Sequence, residues 1–445
     1  MYSDKITSQL KTKKISVGDR IAITSDKGEF IGLLMPRPYY GDPEILVLKM
    51  DSGYNVGIKP NSIDLVEHST AVAKKHHKEE AESKDGSVAI LGCGGTIASK
   101  IEYKTGAASP SISPDELRAS FPDLAKFKVH SRSVFSLFSE EFNHEHWKII
   151  ANETAAEIKD GASGVVIMHG TDTMSYTSAA ISFMLQNLPV PVVLVGSQRS
   201  SDRPSSENEL NLINAVYAAN KDYGEVSVCM HATSNDDLCH IHRGSRVRKM
   251  HTSRRDAFHS INCPPLFVSD YRKDQFTPLE TAKRRSDKSK FVLNDKVNPN
   301  VSLVYVHPGL KPEFISKLSD YDGIVFAGLG LGHVSMNSFN DPKVIGIAKE
   351  IQELHESGIS LVMAPQTIYG RICMRVYTTG RMLIEAGMIG DGADWTPEAA
   401  YAKLCWVLGQ TKDQKKVNQM MMDNIAGEIS GRSYIDEVRH QDSLQ

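Results

Sequence analysis

Apolar positions along this chain fall into short unbroken runs separated by stretches of helical period. The run Val165-Val166-Ile167-Met168 carries no polar interruption, the pattern of a strand buried on both faces. It closes on His169-Gly170, where glycine lets the backbone turn sharply, and Thr171-Asp172-Thr173 come next. Ala179, Ala180, Ile181, Met184 and Leu185 then recur at helical spacing, so the unit reads strand, tight turn, helix. Residues 88–91, 191–196 and 226–230 repeat the buried-strand pattern, with helical patterns at 144–159 and 209–219. This alternation predicts an α/β fold, a doubly wound sheet covered by helices on both faces. A second, smaller α/β lobe is expected from strands at 301–306, 323–327 and 359–363, with helices at 343–357 and 378–386. Residues 400–408 and 416–425 close the chain as helices.

The front of the chain has a different rhythm. Val17 to Ile23 alternates apolar and polar, Asp26-Lys27-Gly28-Glu29 is a turn, and Phe30 to Leu34 continues as a strand. Ile45 to Met50 and Tyr54 to Ile58 add two more. Four or five short strands in so little chain predict a small β-barrel-like module. The expected organisation is therefore an accessory domain over 1–66, a linker over 67–86, a first lobe over 87–275, a connection over 276–300, and a second lobe with terminal helices over 301–445. Such a front module docks or recognises more often than it catalyses.

Composition narrows the class. The 445 residues exceed one ordinary core. A formal net charge of -3 gives no overall field favouring polyanions. No apolar run approaches the roughly 20 residues of a membrane span, and Met1-Tyr2-Ser3-Asp4-Lys5 lacks the apolar core of a signal peptide. The six cysteines stand singly at 93, 229, 239, 263, 373 and 405, which supports neither a zinc ribbon nor a disulfide framework. Cys239-His240-Ile241-His242 has no second cluster to complete four ligands, and His76-His77 sits in a polar stretch, so no metal is expected. These features predict a cytoplasmic protein with reduced cysteines.

Candidate chemistry lies at the carboxyl ends of strands, where open parallel sheets bind ligands. Thr171 and Asp172 stand at one such end; they either carry chemistry or cap the following helix. Gly92-Cys93-Gly94-Gly95-Thr96-Ile97 follows another strand. The dinucleotide fingerprint would need a third glycine at Ile97, so these glycines instead bring Thr96 and backbone amides close to a small ligand. The aperiodic stretch from Lys100 to Pro110 is either a lid or passive surface.

Several motifs carry a family likeness. Gly94-Gly95-Thr96-Ile97-Ala98 and His169-Gly170-Thr171-Asp172-Thr173 resemble the two signatures of the L-asparaginase/glutaminase family. Val193 to Arg199, Asn211-Leu212-Ile213-Asn214-Ala215, Gln366 to Gly370 and Tyr377 to Gly380 are also similar to family sequence, and Lys249 stands where the family keeps a catalytic lysine. The likeness runs from about Ser87 to Ile425 and departs from the family pattern at Cys93 and at Ala364-Pro365. The front module and the stretch Arg199 to Ser206 resemble one subfamily, the D subunits of archaeal glutamyl-tRNA(Gln) amidotransferases.

The resemblance implies an amidohydrolase. Thr96 would be the nucleophile forming an acyl-enzyme. Thr171, Asp172 and Lys249 would handle the proton, with Lys249 tuning Thr171. Asp172 would also hold the substrate ammonium, Ser139 its carboxylate, and Tyr103 would lend a hydroxyl from the loop. The implied function is glutamine hydrolysis supplying ammonia to a second amidotransferase subunit of the E type, which amidates glutamyl-tRNA(Gln). No cofactor is expected in this chain; ATP and Mg are implied for the partner, because no phosphate loop occurs here. A homodimer within a larger complex is expected. Two alternatives stand beside this: a free-standing cytosolic asparaginase with an accessory domain, and a non-catalytic scaffold. The basic run from Arg243 to Arg255 is either solvated charge or a tRNA-phosphate contact.

Overall fold

The structure, a computed structural model, describes residues 2–35, 42–51, 54–68, 85–95, 121–199 and 206–433, with the backbone alone at 99–101 and 108–110. Thr96, Tyr103, His76, His77, most of the expected linker and most of the expected lid lie outside the described residues.

The first lobe is built on an eight-stranded sheet. Its order is Gln275–Pro278, Phe267–Asp270, Cys239–Arg243, Val226–His231, Val192–Val195, Gly164–Met168, Val88–Gly94, Val129–Leu137. The last five strands run parallel, and the first three pair antiparallel at one edge. Every residue of Gly164–Met168 is buried. Its side chains alternate: Val165 and Ile167 join the core under helices His144–Lys159 and Met174–Met184, while Val166 and Met168 join the core under Asn208–Ala219. Both faces are thus covered, which is why the strand reads as an unbroken apolar run. The polar stretch after 270 contributes more structure than its composition suggests. Gln275–Pro278 is an edge strand of the main sheet, and Val292–Leu293 pairs with Leu185–Gln186. Polar edge strands of this kind resist pairing with other chains.

The second lobe is a three-stranded parallel sheet, Val301–Tyr305, Gly323–Gly328 and Ser360–Pro365. Helix Pro397–Gln410, capped by Thr396, packs between the lobes and shares one hydrophobic core with Met174–Met184. The helix expected from 343 begins only at Ala348, because Asn337 and the carbonyls it binds fold 337–344 into a turn.

The front module is a five-stranded antiparallel sheet, in order Asn55–Ile58, Leu46–Lys49, Gly28–Leu34, Arg20–Ser25, Ser62–Glu67. A helix the apolar pattern left unread, Asp4–Thr12, is capped by Ser3 and buries Ile6 and Leu10 against it. The module has its own core, from Ile6 to Ile63. No helix among the described residues is long and apolar enough to cross a membrane.

Candidate active site

The turn after Gly164–Met168 is held from both sides. His169, fully buried, donates from Nδ1 to the Gly170 carbonyl at 2.6 Å, so its Nε2 accepts from the Thr177 hydroxyl at 2.9 Å. Burial pushes this imidazole down to about 4, and the Gly170 bond opposes the shift. It therefore stays neutral and acts as a brace. The Thr173 hydroxyl donates to the Ser139 carbonyl at 2.7 Å. Helix Met174–Met184 begins after Thr173, which makes no side-chain cap. Thr171 and Asp172 precede that position and are engaged elsewhere, so the helix-cap reading of them is set aside.

Their partner is Lys249, at the end of the short strand Val247–Lys249, paired antiparallel to Phe258–Ser260. Its Nζ donates to Thr171 Oγ1 at 2.8 Å and to Asp172 Oδ1 at 2.7 Å. Thr171 is buried, whereas the Asp172 carboxylate is 64% exposed and faces outward. Strand alternation sends Arg248 the other way, where its Nε lies 3.2 Å from Glu398 and its Nη2 donates to Tyr305.

Glycines bring the backbones of separate elements together here. A Cβ on Gly95 would collide with the backbone of Gly170, and one on Gly170 would come within 2.7 Å of Ser139 Oγ. Gly95, at φ +79°, thus carries the chain onto the Thr171 turn immediately before Thr96. Ser139 is buried beneath that turn. Three strand ends therefore meet at one place: 94–95, 137–139 and 168–171. Cys93, buried to 0% exposure, is raised by burial above its ordinary thiol value and serves as packing.

The basic run resolves into internal pairs. Arg243 forks onto Glu225 at 2.7 and 3.1 Å, buried Arg246 binds Asp394, Arg254 binds Asp256, and Arg255 binds Asp236 at 2.7 Å. With Arg248 on Glu398, each of these guanidiniums lies against a carboxylate of the same chain. Among the described residues no group of His, Cys, Asp or Glu could hold a metal. His169 lies within the singled-out motif, but its role as a brace was not read from the sequence. A buried-type run ending in His before Gly was the available signal.

A hydroxyl, an amine and a carboxylate within hydrogen-bond reach make a proton-transfer unit suited to acyl transfer. Comparisons with known proteins agree with that chemistry. Residues 87–279 match the N-terminal asparaginase domain, 300–421 the glutaminase/asparaginase C-terminal domain, and 15–68 the GatD N-terminal domain. The chain is 42% identical to the D subunit of glutamyl-tRNA(Gln) amidotransferase from Pyrococcus furiosus over 438 residues, covering 96% of this chain and 98% of that one. It is 42% identical to the D subunit from Methanothermobacter thermautotrophicus, covering 98% of each chain. Against the D subunit from Pyrococcus horikoshii the identity is 44%, covering 97% of this chain and 99% of the relative. Among solved structures, the thermostable L-asparaginase of Thermococcus kodakarensis superposes with a TM-score of 0.69 at 33% identity, covering 78% of this chain and 99% of that one. L-asparaginase I of Vibrio cholerae gives 0.65 at 27% identity, with the same coverage.

Proposed function

Because this chain belongs to the asparaginase family, among the D subunits of glutamyl-tRNA(Gln) amidotransferases, we propose that it hydrolyses glutamine and passes the ammonia to a partner that amidates glutamyl-tRNA(Gln). The observation that carries this is the Thr171–Lys249–Asp172 cluster, with contacts of 2.8 and 2.7 Å, at the strand end where Gly95 arrives.

In this reading Thr96, the residue after Gly95, attacks the side-chain carboxamide carbon, and its hydroxyl proton leaves for a neighbouring base. The tetrahedral intermediate collapses, the C–N bond breaks, and the departing amine takes a proton to leave as ammonia. Water then attacks the acyl-enzyme, its proton relayed through the Thr171 hydroxyl, which Lys249 orients, to the Thr96 oxygen; the Thr96–acyl bond breaks and glutamate departs. Asp172 and Ser139 hold the substrate ammonium and carboxylate, and Tyr103 assists from its loop. The ATP- and Mg-dependent activation of glutamyl-tRNA belongs to the partner. A cytoplasmic homodimer within the larger complex completes the assignment.

Ammonia release without an acceptor wastes glutamine, so turnover is expected to be low for the chain alone and to rise with partner and glutamyl-tRNA(Gln). A steady-state glutaminase assay with and without both components tests this; full turnover by the isolated chain, indifferent to both, overturns the coupling. The likeness to the two L-asparaginases favours a second reading, a free-standing asparaginase. Preference for asparagine over glutamine in the same assay would select it.

A further inference from the structure

The motif Asn211 to Ala215 has no place in the chemistry just described, yet Asn211 is fully buried and both polar atoms of its side chain are engaged. It sits in the first turn of helix Asn208–Ala219. Its Nδ2 donates to the Gly196 carbonyl at 2.9 Å, and its Oδ1 accepts from His231 Nδ1 at 2.6 Å. His231 is itself buried at the end of Val226–His231, and its Nε2 lies 3.4 Å from Asp236 Oδ1. Asp236 is ion-paired to Arg255, which stands six positions beyond Lys249 on the turn joining Val247–Lys249 to Phe258–Ser260.

Gly196 is what makes this chain of contacts matter. A Cβ there would come 2.8 Å from the His169 carbonyl and 2.9 Å from the Thr171 methyl. The Gly196 backbone is therefore the wall against which Thr171 rests. One end of the network fixes that wall; the other fixes the turn that follows Lys249. Thr171 and Lys249 are 78 residues apart in sequence and meet across a single 2.8 Å hydrogen bond. A misplacement of about 1 Å in such a pair can cost on the order of a hundredfold in rate. The other buried amide of this motif holds a different strand: Asn214 Nδ2 returns to the Leu210 carbonyl, and its Oδ1 accepts from the Ser269 hydroxyl and the Tyr271 amide. Asn211 is the one of the two that reaches Gly196, beside Thr171.

We propose that Asn211, held by His231 with the Asp236–Arg255 ion pair packed behind that ring, is a positioning residue that sets the Thr171–Lys249 geometry. This rests on the assignment of Thr171 and Lys249 to catalysis. The test measures glutamine turnover by the full chain, with partner and charged tRNA present, for Thr171→Ala, Asn211→Leu, Asp236→Asn, Arg255→Ala and the Asn211→Leu/Arg255→Ala pair. Asn211→Leu is expected to lower kcat at least about tenfold per folded molecule, with KM within about twofold. Asp236 is 63% exposed, so Asp236→Asn is expected to fold normally and to lower kcat in the same selective way even should Asn211→Leu not fold. In the double variant the losses should fail to multiply, because both residues act on one geometry. Losses that multiply independently, or a fall in melting temperature with kcat per folded molecule intact, overturn the proposal. Thr171→Ala separates the two levels. If it retains wild-type turnover the catalytic assignment is wrong; if it is inactive while Asn211→Leu and Asp236→Asn are normal, only the positioning role fails.

Discussion

The Lys249 ammonium meets Thr171 and Asp172 within hydrogen-bond distance, while the arginines around it are spent on ion pairs of their own. Lys249→Met keeps the length and apolar stem but removes the donor. It is expected to lower kcat by about 10²- to 10⁴-fold, the usual size of a proton-transfer contribution, in a steady-state glutaminase assay, while the melting temperature stays near wild type. A second residue-scale expectation concerns acid. His169 and His240 are both pushed down from 6.5 to about 4 by burial. The unfolded chain takes up these protons near pH 6.5, the folded chain only near 4, so between those values the unfolded state holds more protons. Stability is therefore complete above 6.5 and falls as pH drops toward 4, by about 1.4 kcal/mol per pH unit for each group. Denaturant titration at several pH values should show this slope, reduced by about one proton in His169→Asn; an unchanged slope in that variant would contradict a neutral buried His169. At this scale Thr171 and Asp172 were legible from the strand-turn pattern. Lys249 was legible only through the family likeness, because nothing local distinguishes it from its arginine neighbours. Asn211 and His231 gave no sign of their roles, since hydrogen bonds between distant elements leave no period in the sequence.

Elements were read best where burial is extensive: the expected helix 144–159 matches the observed one, and the readings 165–168 and 400–408 fall inside the observed Gly164–Met168 and Pro397–Gln410. The short helix Asp4–Thr12 was overlooked, although Ser3, Ile6 and Leu10 supply a cap and a one-sided apolar pair. Least legible was the segment after helix Gln414–Met422, which has no regular structure and is held by polar atoms. Lys403, buried, donates to the Met421 and Asp423 carbonyls, and lies 2.5 Å from Glu428. The Glu428 carboxylate in turn accepts from the Ile425 and Ala426 amides, while Ser245 and Arg246 hold the Ala426 and Gly427 carbonyls. This strap ties the second lobe to the strand that leads into Lys249. Glu428→Ala would leave the Lys403 ammonium buried without a counter-charge and orphan two amides, a loss of about 3–5 kcal/mol. Urea unfolding monitored by intrinsic fluorescence checks it. A change under about 1 kcal/mol would show that the pair contributes no more than an exposed surface bridge does.

At the scale of the whole molecule, the front module and the two-lobed body are separate hydrophobic units. The module core draws only on residues from Ile6 to Ile63, with partly buried neighbours between Tyr2 and Leu65, and the two cores of the body contain none of these. The two L-asparaginases cover 99% of their own length while matching 78% of this chain. A body of this shape therefore folds elsewhere without a matching front unit. A chain starting at Asp85 is accordingly expected to fold, with a cooperative thermal transition close to that of the intact protein, because neither body core draws on a residue before it. It should keep the Thr171–Lys249 contact and hence the ability to hydrolyse glutamine. What it should lose is any turnover stimulation by the partner that depends on the module. Circular dichroism melting and the glutaminase assay, with and without partner, separate these outcomes. An insoluble or molten body would mean that the module stabilises the lobes through surface contacts rather than standing beside them. Retention of the full stimulated rate would mean that the partner reads the body alone.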